Sequence, residues 1–375
     1  MKIGIDAFSC DSGMSGVGMY LMQLLKRIPP SSGASYELFG WEFDRFTFSE
    51  SAPNFEFIPQ CRINGRFPNM AWHVFQYAKF ARKRAYNACF FPAAHRRLPY
   101  DSPCPTIGTV HDMARYWGAR EKMDYIGSFL RYIFPNILRR MDKIIAVSDF
   151  IKQELIDIAK VRENRIEVVP NGIDTTKFYP RPKNEDSIVL IQPFSFRQPY
   201  ILYISRIEHP VKNHVRLITA FNIFKSRTHY PHRLVCAGSD SRGAEKVKEA
   251  AAASPYKTDI FFPGHFPSNS LPALYSGADM VVVPSLYEGF GLGVLEAMAC
   301  GIPVACARAA SLPETAEHAA LYFDAENPED MADRMVVLAT NHDVYREYRR
   351  LGLEQVKSFS WDKCAERTFQ IIQEV

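Results

Sequence analysis

The stretch Pro284-Ser285-Leu286-Tyr287-Glu288-Gly289-Phe290-Gly291-Leu292-Gly293-Val294-Leu295-Glu296-Ala297-Met298 decides the reading of this chain. An apolar strand over Met280–Pro284 runs into it, and a helix that starts at Gly293 leaves it. Three glycines at the turn let the backbone approach a ligand closely and aim N–H groups outward. The helix N-terminus adds a partial positive charge suited to phosphate. Glu288 sits in the loop, where a carboxylate can accept sugar hydroxyl protons. Glu296 sits in the first turns of the helix, where it can bridge two ribose hydroxyls. A structural turn would account for the glycines but not for two glutamates at this spacing.

Outward from that segment, short apolar strands alternate with helical stretches in both directions. Upstream, Lys2–Asp6, Ala88–Phe91, Thr106–Val110 and Lys143–Val147 read as strands, with helices over Gly18–Arg27, Ala71–Arg84, Phe129–Arg140 and Asp149–Ala159. Proline and polar residues gather over Pro180–Pro199 around the apolar patch Ile188–Ile191, the best linker candidate. Alternation resumes at Tyr200–Ile204 and continues to Trp361–Val375, a last helix. This pattern predicts an α/β chain of two Rossmann-like, doubly wound domains facing across a cleft. Residues 1–185 form the N-terminal domain, 186–358 the C-terminal domain, and 359–375 a final helix with a route back to the N-terminal domain. A length of 375 residues suits two domains of ordinary size.

Composition narrows the class. Asp6 breaks the first apolar run too early for a signal peptide, and no stretch approaches the ~20 apolar residues needed to cross a bilayer. The eight cysteines are scattered without a CxxC, which predicts reduced, mostly buried thiols in a cytoplasmic protein. Net charge is a mild +4, but Arg62–Lys143 holds fifteen Lys/Arg against five Asp/Glu, so the rest of the chain is net acidic. Basic residues interleaved with aromatics (Trp72, Phe75, Tyr77, Phe80, Arg82, Lys83, Arg84, Tyr86) suit an anionic membrane surface or a lipid-linked anion. A solvated helix face over core aromatics is the plain alternative. No nucleic-acid motif accompanies the charge.

Three further segments carry chemistry. Ser205-Arg206-Ile207-Glu208-His209-Pro210-Val211-Lys212-Asn213 follows a strand, and Arg206 and Lys212 could neutralise a diphosphate, one as a planar fork and the other as a point charge. His111, in Val110-His111-Asp112, ends a strand; placed toward the expected cleft it is a candidate hydrogen-bonding group. Gly13-Met14-Ser15-Gly16-Val17-Gly18 opens a helix, with Gly16 chosen for close backbone approach.

The segment Leu286–Gly291, then Glu296–Val304 and Ser311-Leu312-Pro313-Glu314, resembles the paired-glutamate motif of retaining glycosyltransferases of family 4, which have the GT-B architecture. The likeness runs from the first strand to the end of the second domain. It implies an enzyme that moves a sugar from a nucleotide-sugar donor to an acceptor hydroxyl with retention, the N-terminal domain taking the acceptor and the C-terminal domain the donor. It places Glu288 by the donor sugar, Glu296 at the ribose, the backbone of Phe290, Gly291 and Leu292 on sugar and phosphates, and Arg206 and Lys212 on the diphosphate. Ser205 stands where the family more often has glycine. The resemblance puts His111 near the sugar, the loop of Gly16 beside phosphate and acceptor, and Pro263-Gly264-His265, with Leu271 and Leu274 beyond, at the nucleobase. Val147-Ser148 and Pro170-Asn171-Gly172-Ile173-Asp174 also match and read as scaffold, Asn171-Gly172 being a tight turn. The phrase Ala310–Glu314 with Ala319–Asp324 is similar to bacterial O-antigen and polysaccharide mannosyltransferases, which implies GDP-mannose and a lipid-linked or surface-polysaccharide acceptor; a UDP-sugar is the alternative. No metal or other cofactor is implied, and the chain contains no Asp-x-Asp. A GT-B nucleotide-sugar epimerase would lack the paired glutamates, and a non-catalytic binder would have lost Glu288, Arg206 or Lys212. The implied location is the cytoplasm, with peripheral contact at the inner face of the membrane through the basic N-terminal domain.

Overall fold

A computed structural model describes residues 1–8, 10–13, 15–28, 33–51, 55–60, 68–114, 134–182, 188–191, 194–197 and 199–375. The chain divides into two compact units, Met1–Gly172 with Trp361–Val375, and Ile173–Ser360.

In the first unit, seven strands form one parallel sheet: β1 (Lys2–Asp6), β2 (Ser35–Trp41), β3 (Glu56–Gln60), β4 (Ala88–Phe91), β5 (Thr106–Val110), β6 (Lys143–Ala146) and β7 (Ile166–Val168). Their order is β3-β2-β1-β4-β5-β6-β7. Central strands such as Ala88–Phe91 and Thr106–Val110 are buried along their whole length, as a parallel sheet covered on both faces requires. Helices start where the side chains can satisfy first-turn amides. Ser15 caps Gly16–Leu25 by accepting from Gly18, and Ser148 caps Asp149–Asp157 by accepting from Ile151. The final helix, Trp361–Gln373, completes this unit. Asp362 bonds Arg27 at 2.6 Å, Gln373 bonds Tyr36 at 3.0 Å, and Trp361 lies against Tyr20.

Several expectations change here. Ala71–Arg84 is two helices, Pro68–Phe75 and Tyr77–Arg84, divided at Gln76. The Phe129–Arg140 helix falls partly outside the described residues; 134–138 are helical. Arg84 is no part of a free basic face. It is held with Lys2 and Tyr86 around the buried Glu37 carboxylate, at 2.8 Å from its Nε. Trp72, Tyr77 and Tyr86 are core, whereas Arg82 and Lys83 are exposed. At the end of β1, Asp6 and His73 form a buried pair at 2.7 Å, and the second Asp6 oxygen accepts from the Phe8 amide.

The second unit holds β10 (Tyr200–Ile204), β11 (Arg233–Ala237), β12 (Ile260–Gly264), β13 (Met280–Val283), β14 (Val304–Ala307) and β15 (Ala320–Phe323), parallel in the order β12-β11-β10-β13-β14-β15. The division falls after Gly172, earlier than the expected boundary at 185. Residues 169–174 make no turn, contrary to the reading of Asn171-Gly172. The chain runs on as part of the second unit: Ile173 donates to the Phe359 carbonyl and Phe178 lies against Tyr275. The Pro180–Pro199 stretch also contains structure, an antiparallel pair of β8 (Ile188–Ile191) and β9 (Phe194–Arg197). Of the seven described cysteines, all are free and six are buried.

The Asp6–His73 pair gives a stability prediction. His73→Leu leaves a buried carboxylate without its partner, which costs about 3 kcal/mol. Urea denaturation should show the midpoint falling without a change in slope.

Candidate active site

Each sheet reverses its winding direction once, between β1 and β4 in the first unit and between β10 and β13 in the second. At such a point the two following loops diverge and leave a crevice at the carboxyl ends of the strands. In the second unit those loops are Ser205–Asn213 and Pro284–Gly291, the two segments singled out by their chemistry.

The loops are tied together through the backbone. The Leu286 amide donates to the Val211 carbonyl at 2.9 Å. Buried Asn213, at φ 58°, donates from Nδ2 to the Pro284 carbonyl at 2.9 Å and the Ala325 carbonyl at 2.7 Å. Across this frame Lys212 Nζ meets Glu288 Oε1 at 2.6 Å, both side chains mostly shielded from solvent. The same carboxylate oxygen accepts from Ser285 Oγ at 2.7 Å. Behind the glycine turn, Ser311 donates to the Glu288 carbonyl at 2.8 Å and Thr315 to the Phe290 carbonyl. Gly291, at φ 94°, is the residue before the helix Leu292–Ala299, so the first-turn amides of that helix open at the crevice.

Glu296 lies on the same helix. Its Oε2 accepts from the buried Tyr275 hydroxyl at 2.9 Å, and a Cβ on Gly293 would stand 3.3 Å from that hydroxyl. Desolvation raises the Glu296 pKa to about 7, more than the Tyr275 bond and the Lys177 charge lower it. Arg206 is 67% exposed and pairs with Glu208 at 3.2 Å, so in this state the two cations have separate partners. Gly264 has φ 85° and open space where a side chain would stand, which fits a ligand face. Leu274 is wholly buried and serves the core rather than a pocket wall; Leu271 is half-buried. Phe290 is buried, edge-on to Phe359.

In the first unit, His111 follows β5. Its Nε2 lies 2.9 Å from the Pro92 carbonyl, which can only accept, so the ring is the Nε2–H tautomer. Burial, then the neighbouring His95, pushes its pKa down to about 3, so it is neutral near pH 7. Tyr20, from the helix that starts at Gly16, stands edge-on to its ring at 4.7 Å. Gly16 is exposed at the helix start. The close approach falls instead at Gly18, inside the helix, where a Cβ would overlap the Cys10 carbonyl and Gly13, and Gly13 itself has φ 79°. Arg96 reaches Asp11 across the β1 and β4 loops, a pair that sequence spacing does not reveal. Among the described residues no three His, Cys, Asp or Glu side chains converge as a metal site needs.

Residues 191–353 match the family model for glycosyl transferases group 1, and residues 14–177 match that for glycosyltransferase family 4. The chain is 32% identical over 243 residues to the O-antigen chain mannosyltransferase B of Escherichia coli, a match covering 64% of this chain and 63% of that one. It is 29% identical to the alpha-maltose-1-phosphate synthase of Mycolicibacterium smegmatis, over 72% of this chain and 73% of that one. It is 28% identical to the serotype-specific mannosyltransferase WbdA of Escherichia coli, over 72% of this chain and 33% of that one. The matches thus span just under two thirds of the first of these relatives and a third of the last. Among solved structures, sucrose-phosphate synthase from Thermosynechococcus elongatus has a TM-score of 0.77 at 20% identity, covering 100% of this chain and 98% of that one. Anabaena HepE with UDP and glucose has 0.75 at 17%, covering both chains fully. The fold is the two-domain GT-B fold.

The Glu296 shift has a sign that can be checked. A carboxyl whose folded pKa exceeds its unfolded value stabilises the fold below the unfolded pKa, and that contribution is lost as pH rises to about 7. Thermal melts of the ligand-free protein across that range should show this decline, and Glu296→Gln should flatten it.

Proposed function

This chain belongs to the group 1 glycosyltransferases of family 4, and we propose that it moves mannose from GDP-mannose, with retention, to a hydroxyl of a lipid-linked or surface-polysaccharide acceptor. The observation that carries the reading is the joining of Lys212 to Glu288 at the winding reversal, beside a glycine turn that opens a helix. Two relatives named as mannosyltransferases support the choice of sugar.

In this reaction the bond between the anomeric carbon and the diphosphate oxygen breaks. The acceptor oxygen bonds to that carbon from the same face, and its proton passes to the leaving phosphate oxygen. The diphosphate gains charge as it leaves. Lys212, Arg206 and the amides at Leu292 stabilise that charge, which is electrostatic catalysis aimed where charge develops. The exposed Arg206 can exchange Glu208 for phosphate. Once Lys212 turns to the diphosphate, Glu288 accepts sugar hydroxyls. Glu296 holds the ribose and Gly264 borders the base, while neutral His111 in the first unit is a hydrogen-bonding group for the acceptor. These cations take the place of a metal, so none is required.

No helix among the described residues is long and apolar enough to cross a membrane. We place the protein in the cytoplasm with peripheral contact at the membrane. Exposed Lys79, Arg82 and Lys83 support this reading, with Phe75 81% and Phe46 73% exposed in the same unit.

Lys212→Ala should lower turnover by about 100-fold or more while circular dichroism stays that of the folded protein. Near-normal turnover would remove Lys212 from the diphosphate. In a thermal-shift series with GDP, UDP and ADP, GDP should give the largest rise. A larger rise with UDP would replace the GDP-mannose reading by a UDP-sugar one. Charge reversal at Arg82 and Lys83 should weaken sedimentation with phosphatidylglycerol liposomes, by about 1 kcal/mol per charge at low salt and less at high salt. Unchanged sedimentation would make this face an ordinary solvated one.

A further inference from the structure

We infer that Ser285 and Tyr203 are positioning residues that keep the Glu288 carboxylate in place when Lys212 leaves it for the donor diphosphate. The inference rests on the reading of Lys212 and Glu288 given above.

One Glu288 oxygen has two partners, Lys212 Nζ at 2.6 Å and Ser285 Oγ at 2.7 Å. A diphosphate concentrates negative charge and draws the ammonium away from a single carboxylate. Ser285 then remains on that oxygen. It is fully buried on the loop's inner side, so it has no freedom to follow solvent. Because its proton goes to Glu288, its oxygen accepts from the Tyr203 hydroxyl, 2.7 Å away. That hydroxyl also lies 3.1 Å from the Lys212 carbonyl, so its one proton is shared between the two loops. Tyr203 stands on β10 in the sheet core, 1% exposed, and its ring packs on His214 at 4.8 Å. Burial pushes its phenol pKa far up, so the hydroxyl stays a donor throughout the working pH range. A rigid sheet residue thereby holds both the backbone that carries Lys212 and the serine that holds Glu288. The carboxylate keeps its aim while its counter-ion changes partner.

The test is a double-mutant cycle on turnover. Nucleoside diphosphate release would be followed from GDP-mannose, UDP-glucose and ADP-glucose without added acceptor, using whichever donor the wild type consumes fastest. Ser285→Ala should lower kcat by about 10-fold with KM changed by less than about 3-fold. Ser285→Thr, which keeps the hydroxyl, should restore most of it. Tyr203→Phe keeps the ring and removes only the hydroxyl, and should lower kcat by about 3-fold; it tests the same relay if Ser285→Ala proves unstable in thermal melts. In a Glu288→Ala background, itself down by about 100-fold, adding Ser285→Ala should change nothing further. A further loss there would mean that Ser285 acts through the loop's fold, and would overturn the positioning role. Wild-type kcat in both Ser285→Ala and Tyr203→Phe, with Glu288→Ala impaired, would overturn it and leave Glu288 in the site. A fully active Glu288→Ala, or a wild type that consumes none of the donors, would overturn the site reading itself and the inference with it.

Discussion

An open parallel sheet needs helices on both faces, so it is wound outward from its first strand in both directions, and where the winding reverses no crossover helix covers the carboxyl ends. That constraint governs the second unit. The loops after β10 and β13 emerge at the reversal, and the residues proposed for the diphosphate, sugar and ribose in this unit lie on them or on the helix that follows, whereas Gly264 stands at the end of β12. Because the loops diverge, their facing edges need ties. The Leu286–Val211 backbone bond and the two bonds from Asn213 supply these, and the Lys212–Glu288 pair spans the same gap.

Burial then divides the charged groups by task. Glu37 and Asp6 are buried with cationic or histidine partners and serve the fold. Glu288 and Lys212 are shielded but not sealed, so a ligand can exchange for either partner. Glu296 accepts its hydrogen bond from a phenol, and desolvation raises its pKa by more than that bond and the Lys177 charge lower it. Ribose hydroxyls would supply the hydrogen bonds that the ionised carboxylate lacks. His111 is neutral for the converse reason: burial and a neighbouring histidine both disfavour its charged form.

The strands were the most legible part of the fold. Lys2–Asp6, Ala88–Phe91, Thr106–Val110 and Tyr200–Ile204 coincide with their apolar runs, because strands buried on both faces carry no charge in their interior. Helix limits were less legible. The break at Gln76 has no proline or glycine to announce it. The proline-rich stretch from Pro180 marks a change in composition, yet Phe178 and Ile173 already pack within the second unit, and composition does not record such contacts. Within the site, Glu288, Glu296 and Lys212 stood out by residue type and spacing. Ser285 and Tyr203 did not, since a serine after a strand and a tyrosine within one are ordinary scaffold.

The sequence by itself determined the α/β alternation, the glycine turn entering a helix, and the charged residues proposed to meet phosphate and sugar. These follow from local periodicity and side-chain chemistry. Only the tertiary structure decided which charged side chains meet across the chain: Lys212 with Glu288, Arg84 with Glu37. It likewise decided that Tyr275, rather than a cation, faces Glu296. Pairing and burial arise from strand order, which brings together segments far apart in the chain, and no local pattern encodes that order.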